Sequence, residues 1–73
     1  MDYFDYKSAA REAGVPDDVL REWEIGFQGE YPGDGMMVEL RLLRACAAAK
    51  GGVDQLDRVA NALAQEFLAG SAS

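Results

Sequence analysis

The sequence predicts an all-α domain of three to four short helices, with a Gly/Pro-rich loop or small wing at about 26–35. Three observations carry this. Apolar residues recur at helical spacing in four segments. Glycine and proline mark the breaks between those segments. The chain has 73 residues, of which 49% are hydrophobic, which suffices for one core and not for two. Residues 1–69 are read as a single small helical domain and 70–73 as a disordered tail.

The first helix is expected at about 5–13. Asp5 can cap it, Gly14 can end it in a left-handed conformation, and Tyr6, Ala9, Ala10 and Ala13 share one face. Pro16 suits the first turn of a second helix, and Asp17 and Asp18 complement its dipole. Val19, Leu20, Trp23 and Phe27 give its buried stripe, Arg21, Glu22 and Glu24 point away, and Gly26 is expected to end it. Residues 26–35 hold Gly26, Gly29, Pro32, Gly33 and Gly35. That density argues against a helix there, so the stretch reads as an irregular loop or a two-stranded wing anchored by Phe27 and Tyr31.

A third helix follows at about 36–50 with two apolar stripes. One is Met36, Leu40, Leu43 and Ala47; the other is Val38, Leu42, Cys46 and Ala49. A helix apolar on two sides sits between neighbours, so this one is expected at the centre. Gly51 and Gly52 break the chain. A fourth helix at about 53–69 then presents one broad apolar face that includes Leu56, Val59, Leu63 and Phe67. That face exceeds what three short helices cover easily, so these four residues are also read as a homodimer seam.

Composition removes several kinds of chemistry from consideration. There is no histidine, the commonest general base and metal ligand. The single Cys46 permits neither an intrachain disulfide nor a thiolate zinc cluster, and on an alanine-rich face it reads as a buried structural residue. Asp17 and Asp18 are adjacent in a helix and do not face the same way, and Gly33, Asp34 and Gly35 read as turn chemistry. No enzyme, cofactor or metal site is therefore expected. No run of about 18 apolar residues is present, and the start lacks the basic and apolar regions of a signal peptide. A cytoplasmic protein without membrane contact is the expectation.

Charge is unevenly placed. Residues 1–35 carry nine acids against three bases (Lys7, Arg11, Arg21), and residues 36–73 carry four of each, so the whole net charge of −6 lies in the N-terminal half. Such a surface repels phosphate backbones and attracts basic partners. Asp17, Asp18, Glu22 and Glu24 are the charged candidates for a partner contact, with Tyr3, Phe4, Tyr6 and Tyr31 as aromatic anchors.

The stretch from Ala9 to Glu24 resembles the helix-turn-helix of MerR-type regulators and excisionase-like phage proteins, through Ala10, Ala13, Gly14, Val15, Leu20, Arg21, Trp23 and Glu24. The resemblance implies a helix-turn-helix scaffold, a wing near 29–35 and a helical pair after it. In that family the second helix enters the major groove with basic and hydroxyl side chains. Here the corresponding positions are Asp17, Asp18, Arg21, Glu22 and Glu24, and the wing region has no base. Groove entry depends on cations that release counterions. The expected function is therefore a small acidic protein-binding modulator, a phage or mobile-element inhibitor of a host protein. The alternative is a MerR- or excisionase-like DNA-binding transcriptional regulator.

Overall fold

Asp5 caps the first helix of the computed structural model, which describes residues 5–72. Its carboxylate accepts the Ser8 hydroxyl at 2.8 Å and the Ser8 backbone N–H at 3.2 Å. Those two bonds, the hydroxyl's first, hold the Asp5 carboxyl below the ordinary carboxylate range. Helix α1, Tyr6–Ala13, ends at Gly14 with φ 77°. The Val15 N–H returns to the Ala10 carbonyl at 2.9 Å, closing a Schellman-type turn whose apolar contact is the buried Val15.

Helix α2 is Asp17–Glu30, which corrects the reading of 26–35 as a loop or wing. Helix continues through Gly26 and Gly29, the turn shrinks to residues 31–34, and no strand occurs among the described residues. The reason is tertiary packing. A Cβ built at Gly26 would lie closer than 3.0 Å to the Phe67 ring, so Gly26 is a gap into which that ring fits rather than a stop signal. Phe67 in turn stacks edge-on against Phe27, with centroids 5.0 Å apart and planes at 85°. Burying that pair offsets the roughly 1 kcal/mol that glycine costs inside a helix.

Asp34 then caps helix α3, Gly35–Ala49, by accepting the Met37 N–H at 3.2 Å. Helix α4 is Val53–Ala72 and so runs past Ala69 into the stretch read as a tail. Its last turns lie along α2, with Gly70 beside the Glu30 side chain. Ser73 lies outside the described residues.

Helix α3 is central as expected, touching α1, α2 and α4, while α4 also packs on α2. The core consists of Ala10 and Val15, the Leu20, Trp23 and Phe27 stripe, the Val38, Leu42, Ala45, Cys46 and Ala49 stripe, and Leu63. Only one of the two α3 stripes is inside. Met36 and Ala47 of the other are exposed, and Leu40 and Leu43 are half-buried without joining the core. Among the described residues no helix is long and apolar enough to cross a membrane.

Candidate functional site

Helix α2 positions most of the charged candidates. Its inner stripe is fixed by Leu20, Trp23 and Phe27, so residues out of phase with them must face outward. Asp17, Asp18 and Glu22 are exposed there. Asp18, Glu22 and Ile25 follow at the i, i+4, i+7 spacing that places side chains on one helical face. Ile25 is 63% exposed. With Asp17, Asp18, Arg21 and Glu22 it lines a shallow depression of about 430 Å³.

Ile25 is not among the anchors expected from sequence, all of which are aromatic. Its signal was present, because it falls two residues after Trp23 and opposite the buried stripe. A β-branched apolar side chain left in water and flanked by carboxylates is an uneven distribution of chemistry on an otherwise polar face.

The aromatic candidates have different environments. Tyr3 and Phe4 lie outside the described residues. Tyr6 is half-buried and its hydroxyl donates to Glu24 Oε2 at 2.6 Å, tying α1 to α2. Glu24 is therefore half-buried and hydrogen-bonded, unlike the exposed Glu22. Tyr31 is half-buried too, and its hydroxyl accepts from Arg41 Nη1 at 3.2 Å. The expected set thus separates into an outward acidic group and residues that brace helices.

Arg41 is the hub of the second group. Its Nη2 donates to both carboxylate oxygens of Glu66 at 2.9 Å, and its guanidinium lies over the Phe27 ring, 5.1 Å from the centroid. Glu30 sits beside this pair. Its Oε1 is buried and has no hydrogen-bond partner, and desolvation, reinforced by the neighbouring Glu66, pushes its carboxyl above the ordinary glutamate value. Protonated, Glu30 can donate to Glu66; ionised, it faces a like charge.

The three bases of the N-terminal half, Lys7, Arg11 and Arg21, line a groove of about 500 Å³ between α1 and α2, together with Asp17 and Glu24. Lys7 and Arg11 thus stand on the α1 side of α2, Asp18 and Glu22 on the Ile25 side, and Arg21 and Asp17 border both. Cys46 is fully buried, and that burial pushes its thiol up to about 11. Among the described residues, no group of three or more His, Cys, Asp or Glu comes together at metal-binding spacing.

The four residues read as a dimer seam face largely inward. Leu63 is buried in the core, Phe67 is stacked on Phe27, and Leu56 and Val59 are half-buried against the core. The large apolar residues that α4 leaves in water are instead Val53 and Leu68.

The chain matches no protein-family model, no curated protein and no solved structure.

Proposed function

We propose that this chain is a small acidic protein-binding modulator that docks a basic partner through the outer face of α2. The observation that carries the reading is Ile25, exposed in a depression whose rim holds three carboxylates, Asp17, Asp18 and Glu22, against the single cation Arg21. An apolar anchor supplies residence time, and a carboxylate rim raises the encounter rate with a cationic surface. The same face argues against a groove-entering helix, since its carboxylates meet phosphate with like charge. The reading assigns no catalytic step, no cofactor and no membrane contact. It places the protein in the cytoplasm. In its finer form the protein is an inhibitor carried by a phage or mobile element, in keeping with its length and acidity.

Affinity capture from the host with wild-type, Ile25→Asp and Glu22→Lys baits tests this, beside a gel shift on the gene's own upstream DNA. One host protein retained by the wild type and lost by both variants is the expected outcome. A salt-dependent, sequence-specific DNA complex that survives both substitutions would replace the reading with that of a transcriptional regulator.

A further inference from the structure

Helix α3 carries a second surface that the described residues do not cover. Three layers of helices with axes about 10 Å apart would span about 25 Å between outermost Cα atoms. The chain spans only 17 Å in its thinnest direction. At least one face of α3 therefore has no layer over it, although the helix is apolar on two sides.

Burial identifies the open face. Val38, Leu42, Ala45, Cys46 and Ala49 are inside, whereas Met36 is 61% exposed, Ala47 is exposed, and Leu40 and Leu43 are half-buried outside the core. Met36, Leu40, Leu43 and Ala47 are separated by four, three and four residues, the alternation that forms a continuous seam between two helices.

The charged residues beside this seam select its occupant. Glu39 precedes Leu40 on one flank and Arg44 follows Leu43 on the other, five positions later. Neither makes an ion pair among the described residues. In two parallel, in-register helices the residue preceding one core position meets, across the seam, the residue five positions further along the other helix. Glu39 of one copy then reaches Arg44 of the next, and the two-fold axis makes the contact twice. An antiparallel arrangement would set Glu39 against Cys46 and Arg44 against Met37, leaving both charges without partners.

We propose that Met36, Leu40, Leu43 and Ala47 form the seam of a parallel homodimer, with Glu39 paired to Arg44 of the partner subunit. A chain of this size gains most from such an association, because its own core is small. The seam lies on α3 and not on the α4 residues expected from sequence. It is independent of the α2 docking face, which the dimer would present twice.

Sedimentation equilibrium on the full chain, from low to high micromolar, tests the proposal. A dimer is expected for the wild type, and a monomer throughout the range overturns it. Leu40→Asp should give a monomer, with circular dichroism reporting the fold. A charge exchange remains informative even where that variant fails to fold. Glu39→Arg alone and Arg44→Glu alone should each weaken the dimer by about tenfold, through two lost pairs and two new repulsions. The double exchange should restore it, and a double variant as weak as the singles overturns the pairing. Ala47→Cys should form an interchain disulfide under mild oxidation, since parallel register sets the two copies of position 47 side by side. A persistent dimer without that cross-link overturns the parallel arrangement.

Discussion

Alanine at Gly26 and alanine at Gly29 should change stability in opposite directions. Both glycines lie in α2, and by propensity alone each replacement gains about 0.5–1 kcal/mol. At Gly29 nothing lies within 4 Å of an added Cβ, so the gain is realised. At Gly26 the new methyl would fall closer than 3.0 Å to the Phe67 ring. Relieving that clash swings the ring off Phe27, losing an edge-to-face contact worth about 0.5–1.5 kcal/mol. Overpacking adds about 1–3 kcal/mol. The net expectation is a loss of about 2 kcal/mol, within a span of roughly 0.5–4 kcal/mol, lowering Tm by about 4–8 °C for each kcal/mol in a domain of this size. Thermal and urea unfolding followed by circular dichroism measure both variants. A cycle through Phe67→Ala isolates the cause, because without the ring Gly26→Ala should become favourable. Stabilisation of the wild-type background by Gly26→Ala, matching that from Gly29→Ala, would refute the explanation given for helix continuing through the glycines.

Three further expectations concern charge, capping and burial. Glu30→Gln should stabilise the fold at pH 7 by about 1 kcal/mol, since it replaces a desolvated carboxyl beside Glu66 with a neutral amide that can donate to the Glu66 carboxylate. The pKa of Glu30 is raised in the folded state, so wild-type stability is fullest below the ordinary value near 4.5 and is lost as pH rises through the raised one. The gap between variant and wild type should therefore close towards acid, and urea titrations showing it constant or widening there would contradict the placement of Glu30. Asp34→Ala should cost about 1 kcal/mol through the lost bond to the Met37 N–H, and unchanged urea unfolding would remove the cap from the account. Cys46 should resist thiol reagents in the folded state at mildly alkaline pH and react at a rate that follows unfolding; immediate labelling of native protein would contradict its burial.

Most of the architecture was legible because it rests on local signals. Asp5 and Gly14 bracket α1 through side-chain capping and a positive φ, both of which belong to single residues. Leu20 and Trp23 announced their burial by spacing. Gly26 was not legible, because its role depends on Phe67, forty-one residues later, filling the space a side chain would occupy. The two stripes of α3 look alike in sequence, and only the number of layers in the fold decides which one is covered. Among the site residues, Asp17, Asp18 and Glu22 face outward as their phase against Leu20 and Trp23 required. Glu24 and Tyr6 are instead half-buried, because their hydrogen bond joins two helices at a distance of eighteen residues, which no local pattern reveals. Ile25 is out of phase with the buried stripe, but being aliphatic it carries none of the aromatic character that marks an anchor in sequence.

The central claim is that the outer face of α2 is where another protein sits. A photoreactive amino acid placed at Ile25 in the living host, with the same reporter at the exposed Asp54 of α4 as reference, reads that contact directly. A single cross-linked host protein with a basic surface at position 25, absent at position 54 and lost on adding Glu22→Lys, is the expected result. The same set of products from both positions, or cross-links from position 25 to DNA, would contradict it.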